Sequence, residues 1–503
     1  MTNAFNLTDW FVDRHLRSGT GDHTALYTED GAISYAELSY TVNRIGNVLH
    51  DLGVRPGDRV LLALRDGVQF VASWYATQKI GAVTAEVYTY LQAKDYAYYL
   101  RYTSPAVVIA DDSTLEVLRA AGNPHRTLVL GQAELRDGEL PFRELFAAAS
   151  TELSPVFTAP GDPAIWKFTT GSTGSPKACV HPATTPLRSF EHYARDVLGF
   201  RPDDIVLPVP KLFFGYARDL AALYPFGVGA GGIVFPGRST AEVIYDLIER
   251  YRPTILVNVP TMINAMLEHP RAATADLSSL RLCTSAGEAL PEALHRRWRD
   301  RFGVEILDGI GSSEAYHIYL SNRPGAARPG TLGTAVPGYT LRLVDPAGDE
   351  VGDGEPGELY VTGDTVAQEY YQEPAKSAET FHGDTVRTGD LLSRDAEGYY
   401  RYHGRGDSML KVGGVWVAPL EIENCLITHP GVLECAVVGY YRDGLQLPRA
   451  WVVRGSADVS AGELTGYVRT HLAPHKYPRD IRFVDRLPKT ASGKLDRRQL
   501  PED

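Results

Sequence analysis

Residues 168–177 read FTTGSTGSPK. Two glycines, five hydroxyl side chains and a lysine fall within ten positions. Glycines let backbone N–H groups converge, hydroxyls donate, and Lys177 adds positive charge. A solvated turn and an anion cradle both satisfy this composition, so the flanks must decide. AIWKF (164–168) precedes the loop and ACVH (178–181) follows it, and both read as strands. The segment therefore joins two strands. A Walker A loop would follow GxxxxGK[ST] and open a helix, and this loop does neither.

Outward from the loop, helical and strand patterns alternate. Ser34 and Glu37 form a capping-box pattern. Leu38, Val42, Ile45 and Leu49 then mark one helical face, and Gly53 marks its stop. RVLLAL (59–64) reads as a buried strand. STAEVIYDLIERY (239–251) reads as a helix, TILVNV (254–259) and LRLCTS (280–285) as strands, and PEALHRRW (291–298) as the opening of a helix. Such alternation predicts α/β layers with largely parallel sheets. From about residue 330 Gly, Pro and Asp become dense, and short strands such as TLRLVD (340–345) and GELYVTG (357–363) predict a β-rich subdomain. After GRGDSMLKVGG (404–414) a small α+β unit begins. It has a helix near 419–428, strands near 432–440 and 449–454, and a helix near 461–472. The expected division is 1–406, a large layered domain, and 407–503, a small mobile one.

The 503 residues are 44% hydrophobic and 22% charged, with a net charge of −12. That supports a large core and more than one domain. No long Lys/Arg run appears, which argues against a nucleic-acid partner. The four cysteines form no CxxC pair, so neither a zinc site nor a disulfide framework is expected. The N-terminus lacks a basic region followed by an apolar run, and no apolar stretch is long enough to span a bilayer. A cytoplasmic location, no membrane partner, and a monomer or homodimer are the expectations.

Further motifs stand in order along the chain: SAGEALP (285–291), DGIGSSE (308–314), GELYVTG, RTGD (387–390), YRYHGRGD (400–407) and PKTASGK (488–494). Together with TTGSTGSPK they resemble the adenylate-forming superfamily of acyl- and aryl-CoA synthetases, peptide-synthetase adenylation domains and luciferases. KLFFGYA (211–217), RLCTSAGEALP (281–291), ILDGIGSSEAYHIYLSNR (306–323) and LAPHKYPRDIRFVDRLPKTASGK (472–494) are most similar to benzoate–CoA ligases and related aryl-CoA ligases. The resemblance covers essentially the whole chain. It implies an ATP-dependent acid–thiol ligase that forms an acyl-adenylate, releases pyrophosphate, and then makes a thioester.

The same resemblance implies roles. Thr169, Thr170, Gly171, Ser172, Thr173, Gly174 and Lys177 hold the β- and γ-phosphates of ATP. Glu314 is the Mg²⁺ partner. Ser285, Ala286, Gly287 and Glu288, with Gly309, Ile310, Gly311, Ser312 and Ser313, surround AMP, and Asp308 meets the adenine amino group. Ile310 stands where many relatives carry an aromatic. Asp390 and Arg405 bind the ribose. Lys494 bridges the carboxylate and the α-phosphate. Asp407 is the hinge, and Lys411, Gly413 and Gly414 line the thiol path. Phe214, Gly215, Tyr216, His317 and Ile318 form the acyl pocket, with Glu314 and His317 on one face if their stretch is helical.

Three departures matter. Gly215 replaces a slightly larger alanine and is expected to deepen the pocket. Arg218 and Asp219 fit either a structural ion pair or recognition of a polar ring substituent, be it hydroxyl, amino or a second carboxylate. GLQLPRAW (444–451) lacks a lysine that some CoA ligases place near Arg449, which keeps a carrier-protein pantetheine as a second acceptor beside coenzyme A. A catalytically silent nucleotide-binding scaffold is a further alternative. The intact loop, Glu314 and Lys494 weigh against it.

Overall fold

The structure, a computed structural model, describes residues 4–169, 175–412, 415–442, 445–455, 457–489 and 495–500. Thr170, Gly171, Ser172, Thr173, Gly174, Gly413, Gly414 and Lys494 lie outside the described residues.

Among the described residues the large domain holds a nine-stranded, a seven-stranded and a five-stranded sheet. Helix Tyr35–Asp51 starts where the sequence places it. Ser34 Oγ accepts from the Glu37 amide at 3.2 Å, and Glu37 Oε2 accepts from the Ser34 amide at 2.8 Å. Its apolar face buries Leu38, Val42, Ile45 and Leu49, and Gly53 follows with φ +86°. The strands Arg59–Ala63, Ile255–Asn258 and Leu282–Ser285 pair in parallel with their neighbours and are buried almost throughout. That explains their near-continuous apolar sequences.

Two edges of these sheets carry the site. At one edge of the seven-stranded sheet, Pro163–Phe168 and Ala178–Pro182 form an antiparallel hairpin, with Lys167 opposite Cys179 and Phe168 opposite Ala178. The glycine-rich loop is its connection, as the flanks predict. In the nine-stranded sheet, Ile306–Gly311 runs parallel to Leu282–Ser285 and then turns back, antiparallel, into Ile318–Ser321. A Cβ on Gly311 would sit 2.3 Å from the His317 carbonyl oxygen, and one on Gly309 would sit 2.6 Å from that of Leu320. Only glycine permits this close return.

The five-stranded sheet contains Gly357–Gly363, with the bounds the sequence predicts, and Thr385–Arg394 beside Tyr400–Arg405. After a short 3₁₀ turn at Gly406–Ser408 the chain builds a separate hydrophobic core around Leu410, Val417, Ile422, Val437, Val452 and Val468. Helices Pro419–Leu426 and Ala461–His471 cover one three-stranded sheet. Two features of this unit differ from expectation. The second strand runs from Leu445 to Arg454, so it is longer at its start, and a third strand, Asp480–Phe483, adds in parallel to it.

Candidate active site

The hairpin, the Ile306–Ser321 return and the Thr385–Arg405 strands face one cleft. Thr169, Lys177, Phe214, Gly215, Tyr216, Ala286, Gly287, Glu288, Asp308, Gly309, Ile310, Gly311, Ser312, Ser313, Glu314, His317, Ile318, Asp390 and Arg405 all line it. Its far wall belongs to the small domain and includes Lys489, Leu495 and Asp496. Lys489 and Leu495 pair as an antiparallel bridge, so the residues on either side of 490–494 stand together at the cleft.

The turn 312–317 is the centre of the site. It is not helical, so Glu314 and His317 do not share a helix face. Tyr316 sits in the left-handed region at φ +71°. A bulky residue there needs external support, and the surroundings supply it. His181 Nε2 lies 2.8 Å from the Ser313 carbonyl, Ser313 Oγ donates to the Phe168 carbonyl at 3.2 Å, and the Ala367 amide donates to the Glu314 carbonyl at 2.7 Å. Burial pushes the His181 pKa down to about 3, so that ring is a neutral strut. Glu314 Oε1 accepts from the Tyr370 hydroxyl at 2.6 Å, and Lys177 Nζ lies 5.9 Å from the centre of the same ring. Tyr370 thus joins the carboxylate to the lysine of the loop. Nothing in the linear motifs singles it out, because the link is made only by tertiary packing.

On the Ile306–Gly311 strand, Asp308 is buried and its Oδ1 has no hydrogen-bond partner among the described residues. Burial pushes its carboxyl pKa well up. A buried unpaired acceptor beside a cleft suits an incoming N–H donor. Ala286 and Gly287 line the cleft; Ser285, also named from the sequence, is buried at its strand end and does not. Glu288 is partly spent elsewhere: its Oε2 accepts from the Thr261 amide at 3.0 Å and hydroxyl at 2.7 Å, at the start of helix Pro260–Glu268. Asp390 and Arg405 are opposite each other in register, with Nη1 3.6 Å from Oδ1.

At the position expected for the acyl pocket, Tyr216 and His317 stack with centroids 5.7 Å apart, and the Tyr216 hydroxyl donates to Thr284 Oγ1 at 2.7 Å. Burial holds the His317 pKa near 3, so the ring is a neutral wall and not a base. Gly215 does not deepen the pocket. A Cβ there would lie 2.8 Å from both Cε and Nζ of Lys167, whose side chain fills the space. Arg218 and Asp219 are fully buried and ion-paired at 2.7 Å, the first of the two readings. Asp407 and Lys411 are exposed and do not line the cleft in this arrangement. The Lys411 amide donates to Gln446 Oε1 at 2.7 Å.

A model described as AMP-binding enzyme matches residues 13–371, and its C-terminal-domain companion matches residues 421–494. The chain belongs to the AMP-binding enzyme family. Benzoate–CoA ligase of Thauera aromatica is 41% identical, over 99% of this chain and 95% of that protein. The 4-hydroxybenzoate–CoA/benzoate–CoA ligase of Rhodopseudomonas palustris is 40% identical, over 99% and 94%. The crystal structure of the anthranilate CoA ligase AuaEII in complex with anthranoyl-AMP superposes with a TM-score of 0.94 at 37% identity, covering 99% of this chain and 96% of that one. The superposition extends over both segments matched by the family models.

Proposed function

We propose that this enzyme activates a benzoate-class carboxylic acid as its acyl-adenylate and transfers the acyl group to coenzyme A. The observation that carries the reading is the single cleft. It brings Thr169 and Lys177, Glu314, Asp308, Asp390 with Arg405, and the Tyr216–His317 wall together; in this reading they serve phosphate, metal, base, sugar and acyl group respectively. The substrate carboxylate is already ionised near neutral pH and needs no base, which fits a neutral His317. In this reading the loop and Lys177 stabilise the departing pyrophosphate by donating to its developing charge.

Among the described residues no group of three or more His, Cys, Asp or Glu side chains could hold a metal alone. Mg²⁺ keeps several waters and takes phosphate oxygens, so one carboxylate from Glu314 is enough. When bound it would neutralise phosphate charge. The small domain turns about Asp407 in this reading, with the domain division at 406/407. That turn exchanges Lys494 for Lys411, Gly413 and Gly414 beside the thiol. Its structural support is the exposed turn Gly406–Ser408 between two separate cores.

Carboxylate-dependent ATP–pyrophosphate exchange tests the reading. Exchange is expected with at least one benzoate and not with short aliphatic acids, and added coenzyme A should convert the adenylate to thioester. Adenylate that accumulates in the presence of coenzyme A, and is discharged only by a pantetheinyl carrier protein, would replace the acceptor. Exchange with aliphatic acids alone would overturn the benzoate assignment.

A further inference from the structure

The acyl end of the cleft contains charges that adenylation does not use. Lys167 and Glu86 both line it, and both are buried, at 6% and 5% exposure. Lys167 Nζ donates to Asp219 Oδ2 at 2.6 Å and to the Tyr316 carbonyl at 2.6 Å, with the Tyr316 ring centre 3.5 Å away. Asp219 Oδ1 accepts from Arg218 Nη2 at 2.7 Å, and Arg218 reaches on to pair with Glu86. Arg218 and Asp219 do not line the cleft; they stand behind Lys167 and Glu86. Burial pushes the Asp219 carboxyl up, but Arg218 and Lys167 overcome it and hold it below its ordinary value, so the pair is ionised.

Two facts make this more than a structural knot. A buried ion cluster is weak support for a fold, since apolar replacement is often neutral or stabilising. Its place also matters, because the end of Lys167 fills the space where a side chain at position 215 would stand. The acyl wall therefore presents an ammonium where a methyl would otherwise be. Glu86 Oε2 has no hydrogen-bond partner among the described residues. An ammonium offers three donors and a carboxylate only acceptors. Two cations and two anions cancel, so the wall is polar without net charge. It suits a substituent that hydrogen-bonds but is itself uncharged, and it has no surplus cation for a second carboxylate.

We propose that Lys167 and Glu86 are specificity-determining residues that select an aryl acid bearing a hydroxyl or amino group on the ring; this rests on the benzoate-class reading above. A methyl group of the same size would exclude water from Glu86 Oε2 and offer it no donor. Sites built for a substrate hydroxyl reject the analogue lacking it far more strongly than apolar pockets reject an extra hydroxyl.

The test is pyrophosphate exchange with matched pairs: 3- and 4-hydroxybenzoate and 3- and 4-aminobenzoate against 3- and 4-methylbenzoate, with isophthalate and terephthalate as dicarboxylates. For the native enzyme, kcat/KM should favour the polar member of one pair by about 10-fold or more, and the dicarboxylates should be poor. The variant Lys167→Met/Asp219→Ala removes one cation and one anion and leaves Arg218 with Glu86. In it the preference should fall to within about 2-fold while KM for ATP stays unchanged. Gly215→Ala, which alters no charge, should displace Lys167 and reduce the same ratio; it serves if the double variant does not fold. A native ratio near one, or a ratio untouched in these variants, overturns the proposal while leaving the benzoate reading intact. Absence of exchange with every benzoate overturns both.

Discussion

Lys494→Ala is expected to cut pyrophosphate exchange by about 10²–10³-fold, the loss typical when one preorganised charge-stabilising donor is removed. Two anions, the substrate carboxylate and the α-phosphate, must come together in adenylation. A compact ammonium between them lowers that barrier, and lysine supplies a point charge without a fixed fork geometry. Lys494 stands nine residues before the last residue of the sequence, where a lysine is ordinarily a solvated charge. Its neighbours argue otherwise: Leu495 and Asp496 line the cleft, and the Lys489–Leu495 bridge holds the flanks of 490–494 at its wall. The same variant should make thioester from synthetic acyl-adenylate and coenzyme A within a few-fold of the native rate, because no α-phosphate attack remains to be assisted. Melting temperature should not move. Equal losses in the two half-reactions would contradict the division of labour between the two faces of the small domain.

The ingredients of the cleft were legible in the sequence wherever a local signal forces a local structure. The Ser34–Glu37 box opens a helix because both reciprocal hydrogen bonds lie within four residues. GELYVTG alternates in burial along its whole length, so its bounds follow from its pattern. The acyl wall was legible only in part. Arg218 and Asp219 stand out as charges in an apolar helix, yet their partners are remote: Lys167 is 52 positions from Asp219, and Glu86 lies on another strand of the seven-stranded sheet's side of the cleft. Lys167 itself carried a signal, a lone charge in the strand AIWKF among buried neighbours, but it reads as unremarkable without the helix packed against it. The turn 312–317 misleads for another reason. Spacing alone suits a helix, while Gly311 and the left-handed Tyr316 commit the chain to a tight return. The strand Asp480–Phe483 escapes because four half-buried residues with two charges show no clean period.

Asp390→Asn is expected to make the protein more stable and a poorer enzyme. Burial pushes the Asp390 carboxyl pKa up to about 6, against the pull of Arg405. The Tyr402 hydroxyl reaches Oδ1 at 3.4 Å and Arg405 at 3.6 Å, both too distant to compensate fully. The folded-state value therefore lies above the unfolded one of 3.8. A proton binds the folded chain more tightly, so this group's contribution to stability is full below about pH 4 and is lost as the pH rises through about 6. At pH 7.5 the ionised carboxylate costs the fold on the order of 2–3 kcal/mol. Asparagine removes that cost, so the melting temperature should rise by a few degrees at pH 7.5 and hardly change at pH 4. Function moves the other way. An ionised carboxylate can accept both hydroxyls of a ribose, and hydrogen bonds to a charged group contribute about 1.5–3 kcal/mol each. KM for ATP should rise by about 10–100-fold in the variant. In the native enzyme KM for ATP should climb as the pH falls below about 6, where Asp390 takes up its proton, and the variant should lose that inflection. A variant that melts lower at pH 7.5 would mean that Arg405 outweighs burial. A variant whose KM for ATP is unchanged would remove Asp390 from the ribose site and leave its buried charge without a use.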